Sequence, residues 1–302
     1  MRYVVTGGTG FIGTKLIPMI RAQGDAVTVF TRHARSSENG VDFVKWTPDA
    51  DGPWMDVIDG ADVVINLAGT PVFDERWTPE RKKDLFTSRL DATTRVSAAI
   101  ARAKKKPAVF ISASAVGIYG MHRDDNVLDE TAPLGHDILA EICTQWEAAA
   151  DGAREAGVRV AHPRIGIVLG PDGGALKNML TPFKAFVGGP VGSGKQWMSW
   201  IHVHDAVRAL LYPVTNVELV GPYNVTAPTP ATMNEMAKTI GEVLHRPSAM
   251  RVPEFATRLA FGERAEIVLT GQRVVPRRLE ALGFTFEHPA LRAALENLLA
   301  PS

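Results

Sequence analysis

The chain has 302 residues, 45% of them apolar and 22% charged, with 33 basic and 33 acidic side chains that leave no net charge. This balance excludes a disordered chain and allows one large globular domain with an appendage, or two modest ones. It gives no electrostatic footprint for a nucleic-acid or membrane-surface partner, and a single cysteine, Cys143, excludes an intrachain disulfide framework.

The first 110 residues alternate short apolar runs with helical patterns. Arg2 to Thr6 reads as a strand, and Phe11 to Gly24 as a helix with Ile12, Leu16, Ile17 and Ile20 on one face and Gly24 at its C-cap. Strands follow at Ala26 to Phe30, Val41 to Trp46 and Asp62 to Gly69. A long helix begins with Thr78 as N-cap and Pro79 at the first helical position, and its basic end, Lys104 to Lys106, suits the helix dipole. A fifth strand, Ala108 to Ser114, precedes a helix near Asp137 to Ala156 and the strand GVRVAHPRI. β-branched strands with little charge inside, alternating with helices, predict an α/β fold, a Rossmann-type doubly wound parallel sheet buried on both faces.

Beyond Ile165 the spacing loosens, glycine and proline gather between Gly166 and Gly194, and Pro171 to Gly174 and Gly188 to Gly194 read as mobile loops. Helices are expected near Ala231 to Leu244, Phe255 to Phe261 and Val275 to Leu282. The division expected is a nucleotide-binding domain over residues 1–165, to which later segments return, and a smaller α+β substrate lobe over 166–302. No signal peptide is expected, since YVVTGG begins at Tyr3, and no apolar run approaches the ~18–20 residues of a membrane span. The expected location is the cytoplasm.

GGTGFIG, Gly7 to Gly13, follows a strand and opens a helix. In that context glycines 7, 10 and 13 permit positive φ, close approach of backbone to a diphosphate, and tight helix-to-strand packing. The helix N-terminus then offers free N–H groups to the phosphates. The contacts expected from this turn are Gly7, Thr9, Gly10, Phe11, Ile12 and Gly13. After the second strand comes Thr31-Arg32, with Arg35 close behind, where an NAD site would place an acid for the ribose 2′-hydroxyl. A guanidinium suits a 2′-phosphate, so the cofactor expected is NADP(H).

At this point the chain resembles the extended short-chain dehydrogenase/reductases. NLAG, Asn66 to Gly69, resembles the motif beside the adenine-ribose side of the cofactor and implies contacts from Leu67, Ala68 and Gly69. ISASAVGIYG, Ile111 to Gly120, resembles the fifth-strand motif, with one extra residue between Ser114 and Tyr119, and brings in Ser112. PRIGIVLGP resembles the segment along the nicotinamide, which implies Pro163 and Ile165. NLAGTPVFDERWT, SRLDATTRV, GPDGGAL and GQRVVPRRLEALGFTF extend the resemblance over nearly the whole chain, to the TIGR01777-type epimerase family proteins with a C-terminal domain of undefined role.

The parent superfamily carries a tyrosine and a lysine four residues later on the helix after the fifth strand, for proton transfer. Here GHDILAEICTQWE supplies neither: the tyrosine position falls on Ile138 or Leu139, the lysine position on Ile142 or Cys143. Ser114 is the candidate for polarising a substrate oxygen, or it caps the strand end. Tyr119 is the candidate proton donor, or it packs. Cys143 is a nucleophile or proton relay, or a buried inert thiol. His202 could act as a general acid or brace the two lobes with Asp205. No metal is expected, because His204 and Asp205 lack further ligands nearby.

Arg89 would meet Asp137, Glu141 or a ligand anion, or else pair on the surface with Asp91 or Glu80. Arg164 stands out as a further arginine in the nicotinamide segment. Trp77, Trp146, Trp197 and Trp200 border the expected cleft, with Trp146 and Trp200 reading as core. The two functions to separate are an NADP(H)-dependent oxidoreductase or epimerase-like enzyme acting on a small carbonyl or sugar-like substrate, and a catalytically silent NADP(H) sensor or scaffold, conceivably in cell division. The resemblance also implies a homodimer through the helices that begin at Thr78 and Asp137.

Overall fold

The computed structural model describes residues 1–122 and 124–300, so positions 301 and 302 of the expected smaller lobe lie outside it. Strands β1 (Arg2–Thr6), β2 (Ala26–Thr31), β3 (Val41–Lys45), β4 (Val63–Asn66), β5 (Val109–Ser112), β6 (Arg159–Ile165) and β7 (Gly221–Val225) run parallel. Their order is β7-β6-β5-β4-β1-β2-β3, and the two-residue strand Ser114–Ala115 continues along β6. The order reverses between β1 and β4, which is where an open α/β sheet forms its ligand crevice, outside the carboxyl ends of the strands.

Helices α1 (Gly13–Ala22), α2 (Pro79–Arg102), α3 (Ile138–Ala148), α4 (Asp151–Glu155), α5 (Gly174–Lys184), α6 (Val203–Thr215) and α7 (Met233–Leu244) follow in turn. Later come α8 (Glu254–Phe261), α9 (Ala265–Leu269), α10 (Arg277–Ala281) and α11 (Leu291–Leu299). Period-two alternation along the strands sends Val5, Ile65 and Ile111 against Leu16 and Ile20 of α1 and Val207 and Leu210 of α6. The opposite face, with Val4, Val64, Phe110 and Val160, packs on Ala92, Val96 and Ile100 of α2 and on Ala153 of α4. A third cluster gathers α5, α6, α7, β7 and α11 around the fully buried Trp200.

Four differences from the sequence reading have local causes. The helix expected over Asp137 to Ala156 is two helices. Between them Ser97 of α2 donates to the Ala150 carbonyl and accepts from the Ala153 amide, and such an intrusion interrupts a helix ladder. Helix α5 starts inside the glycine-rich stretch, with Gly173 as an N-cap that offers no side chain and Pro182 inside, so no start signal marks it. Helix α6 is capped by His202, whose ring accepts from the His204 amide, a residue outside the usual capping set. Helix α11 has no side-chain cap at all. No helix among the described residues is long and apolar enough to cross a membrane.

The start of α6 is also a joint to the C-terminal segment. The Asp205 carboxylate, fully buried, accepts from the amides of Glu287 (3.0 Å) and His288 (2.8 Å) and from Arg208 (2.9 Å). The His202 ring stacks on that of His288 at 3.8 Å and meets Asn297 of α11 through Nε2 at 3.1 Å. His204 and Glu287 lie 3.1 Å apart. With Nδ1 committed as an acceptor, the His202 ring is held neutral. Burial, and then the His288 ring, lower its pKa to about 4.

Two outcomes are expected. Asp205→Ala strips three donors of their acceptor and should cost about 2–4 kcal/mol in urea denaturation. His202 in the unfolded chain takes up a proton near pH 6.5, which the folded chain refuses until about pH 4. Stability carried by this ring is therefore complete above pH 6.5 and declines as pH falls toward 4. His202→Asn keeps an acceptor for the His204 amide and does not titrate, so its stability relative to wild type should improve between pH 7 and pH 4.5; a constant difference would contradict this.

Candidate functional site

The turn after β1 is built of close backbone contacts. Gly7 has φ +67°, and a Cβ there would lie 2.5 Å from the Leu67 carbonyl oxygen at the end of β4. A Cβ on Gly13 would lie 2.5 Å from the Cα of Gly8, so the first residue of α1 packs directly on the incoming loop. The Gly10 amide closes the turn on the Gly7 carbonyl at 3.0 Å. Ile12, the N-cap of α1, offers no side-chain acceptor, and the first turn carries no acid. The amides of Thr14 and Lys15 close on the Gly10 and Ile12 carbonyls, while those of Phe11, Ile12 and Gly13 have no bond among the described residues; these donors and the positive end of the dipole stand beside a cradle that only glycine fits, a donor set suited to a diphosphate. Thr9 and Gly10 are exposed there, and the Phe11 ring is half-buried.

At the end of β2, the Thr31 hydroxyl donates to the His33 carbonyl at 2.5 Å. Arg32 is exposed and has no ion-pair partner among the described residues. Arg35 pairs with Glu38 at 2.8 Å and lies 4.6 Å over the Phe43 ring, contacts that solvent weakens. Of the two arginines, Arg32 is the one without a competing pair among the described residues.

A buried polar layer lines the carboxyl edge of the sheet. Thr6 donates to Asn66 Oδ1 (2.5 Å), Asn66 Nδ2 donates to Thr93 Oγ1 (2.7 Å), and Trp146 Nε1 donates to the same hydroxyl (3.0 Å). That chain ties β1, β4, α2 and α3 together and orients the backbone of Leu67, Ala68 and Gly69; the Ala68 amide reaches Asn66 Oδ1 at 3.3 Å. Ser112 and Ser114 are buried, and neither hydroxyl has a partner among the described residues. Unpaired hydroxyls at the mouth of the crevice point to a ligand or a water that completes them. Pro163 and Ile165 lie on β6, opposite β7 in register with Tyr223 and Val225.

Helix α3 is positioned by Asp137, whose carboxylate accepts from the amides of Leu139 (2.9 Å), Ala140 (3.2 Å) and Met121 (2.6 Å). Its register turns Leu139 and Cys143 toward Gly117, since a Cβ built there would sit 3.4 Å from Leu139 Cβ and 3.9 Å from Cys143 Sγ. Burial pushes the Cys143 thiol up to about 12, so it stays protonated and inert near neutrality.

Tyr119 is 1% exposed; its hydroxyl donates to Asn224 Oδ1 (2.7 Å) and accepts from Arg164 Nη1 (3.0 Å). Arg164 in turn grips Glu147 of α3 through two bonds of 2.8 and 3.0 Å. Asn224 also donates to the Val275 carbonyl at 3.0 Å, which carries the network into the C-terminal segment. Burial raises the phenol above its ordinary pKa. Of the two readings of Tyr119, this geometry matches packing, because the proton it would give is already placed on Asn224.

Arg89 meets none of the four acidic residues expected of it. It is buried, donates to the carbonyls of Leu85 (2.9 Å) and Thr70 (2.9 Å), and lies 5.1 Å over the Trp146 ring; burial lowers its pKa. The reason is steric: Gly69 has room for it directly beneath the loop after β4. Trp77 bonds the Val72 carbonyl (2.9 Å) and Trp197 bonds Asp125 (2.8 Å), so these two indoles are tied to loops, while Trp146 and Trp200 are buried.

A sequence model of the NAD dependent epimerase/dehydratase family matches residues 3–226, and one for a domain of unknown function, DUF1731, matches residues 252–298. The chain is similar to the "epimerase family protein SDR39U1 homolog, chloroplastic" of Arabidopsis thaliana, 43% identical over 304 residues that span 99% of this chain and 87% of that protein. It is also similar to the "epimerase family protein YfhF" of Bacillus subtilis, 39% identical over 99% of this chain and 98% of that protein. The crystal structure of the human epimerase family protein SDR39U1 (isoform 2) with NADPH has a TM-score of 0.87 and 34% identity, covering 99% of both chains.

Tyr119→Phe should lower stability by about 1–3 kcal/mol in urea denaturation, because Asn224 and Arg164 each lose a buried partner. An unchanged midpoint would return this hydroxyl to the set of free donors.

Proposed function

The chain belongs to the NAD dependent epimerase/dehydratase family, and from that premise we propose that it binds NADP(H) and acts as an oxidoreductase or epimerase-like enzyme on a small carbonyl or sugar-like substrate, without a tyrosine–lysine pair. The observation that carries this reading is the glycine cradle: Gly7 pressed against Leu67 at the uncapped start of α1. The human relative's complex with NADPH supports the choice of nucleotide, as does Arg32, which has no ion pair among the described residues and stands where a 2′-phosphate would arrive.

When bound, the dinucleotide would supply hydride transfer at its nicotinamide. The chain's own contribution is to hold and orient. Backbone amides of the turn after β1 take the diphosphate, Leu67 to Gly69 and Ser112 flank the ribose side, and Pro163 and Ile165 border the nicotinamide. Ser114, with a buried hydroxyl that has no partner among the described residues, donates to a substrate oxygen. Tyr119 acts by positioning: through Arg164 and Glu147 it fixes α3 against β6, and with it the segment that carries Ser114. A reducing compartment such as the cytoplasm fits the lone, buried thiol.

A second reading, a silent NADP(H) sensor, is favoured by one observation. The face of α3 turned to Gly117 presents Leu139 and Cys143, and burial pushes the thiol's pKa up to about 12. Oxidation of NADPH against a panel of carbonyl compounds separates the two, because turnover that falls at least tenfold in Ser114→Ala requires the enzyme.

Arg32→Glu should weaken NADPH binding by tenfold or more and NADH binding by threefold or less, since only the former loses an ion pair to phosphate. Equal weakening of both would overturn the assignment of Arg32.

A further inference from the structure

We propose that the loop of Gly170 to Gly174 is a door over the dinucleotide site, clasped shut by Phe11 and by the Lys15–Asp172 ion pair, whose opening sets the rate at which NADP(H) enters and leaves. This rests on the cofactor reading above and goes beyond it by assigning a kinetic role to residues that contribute nothing to the sheet.

The loop crosses from one side of the crevice to the other. The chain leaves β6 at Ile165, passes through the short strand Ile167–Leu169, and arrives against the turn after β1, three positions away in the sheet order. There it meets the Phe11 ring with bare backbone. A Cβ added to Gly170 would lie 2.6 Å from the ring's Cζ, one on Gly173 2.6 Å from Cδ2, and one on Gly174 2.9 Å from Cε1. Three glycines on one ring leave no side chain between loop and phenyl. Phe11 itself stands between Gly10 and the N-cap Ile12, inside the turn that would grip the diphosphate.

Both ends of the loop are fixed while its tip is not. Leu169 is fully buried and pairs with Gly174 in an antiparallel bridge. Beyond the bridge, α5 anchors itself through buried Leu176, Leu180 and Phe183. Pro171 and Asp172 at the tip are exposed. Asp172 reaches over to α1 and meets Lys15 Nζ at 2.7 Å, with side-chain exposures of 66% and 39%. An ion pair so open to solvent is weak, and it holds a loop closed without locking it. Loops of this kind open on a scale of microseconds to milliseconds, fast enough to gate binding and slow enough to limit it.

The test is stopped-flow binding of NADPH to wild type, Asp172→Ala and Gly173→Ala, following the nucleotide's fluorescence. Asp172→Ala removes the ion pair from an exposed site and leaves the fold untouched. Gly173→Ala inserts a methyl group against Phe11 and props the loop away from it. The door requires association and dissociation rates to rise together, about two- to fivefold in Asp172→Ala and by more in Gly173→Ala, with a smaller change in Kd. Unchanged rates with NADPH still bound would overturn the door and leave the cofactor reading standing. A faster dissociation with unchanged association would instead make Asp172 a direct ligand contact and would likewise overturn it. If wild type forms no complex with NADPH, the cofactor reading fails first and the door with it.

Discussion

The site depends on one contact between two stretches of bare backbone: Gly7, at positive φ, lies so close to the Leu67 carbonyl that no side chain fits between them. This contact sets the spacing of β1 and β4 at the point where the strand order reverses. It directs α1 so that its uncapped N-terminus faces the crevice, and it brings the NLAG segment alongside. Any larger residue at position 7 would separate the strand ends, and with them the Thr6–Asn66–Thr93–Trp146 chain of hydrogen bonds that links the two central strands to α2 and α3.

Two buried networks support this edge, and they divide the work. The first, through Asn66, is made of neutral groups and orients the backbone on the nucleotide side. The second, through Glu147, Arg164, Tyr119 and Asn224, contains a buried ion pair and connects α3 to β6, β7 and the C-terminal segment. An ion pair of this kind is a poor source of net stability but a strict constraint on geometry, since breaking either side leaves a charge uncompensated. Between the two networks lie Ser112 and Ser114, buried polar groups without partners among the described residues. Nε2 of the neighbouring His162 is buried and unpartnered as well, so three polar atoms on β5, β6 and the short strand Ser114–Ala115 are available to a ligand or a water.

Much of this was legible from residue order. Most of the parallel strands announced themselves as apolar, β-branched runs, and β1 and α1 fell where GGTGFIG required. Thr78 and Pro79 marked the start of α2. Part of what escaped the sequence depends on partners far apart in the chain. Lys15 meets Asp172 across 157 positions, and Arg89 meets the Thr70 carbonyl rather than any acid, because Gly69 opens the space beneath its loop. Arg35 resembled a phosphate ligand as well as Arg32 did, but it has Glu38 and Phe43 as competing partners. The helix expected over Asp137 to Ala156 broke because a serine hydroxyl from α2, 53 positions from the carbonyl it bonds, enters its ladder. Helices α5, α6 and α11 begin without the caps by which a helix start is recognised in a sequence.

The most direct test of the account is equilibrium titration of the purified protein with NADPH, paired with the same titration of Gly7→Val after circular dichroism has established that the variant is folded. The account predicts a saturable one-to-one complex for wild type and none for the variant at the same concentrations. No saturable complex with wild type, or undiminished affinity in a folded Gly7→Val, would contradict it.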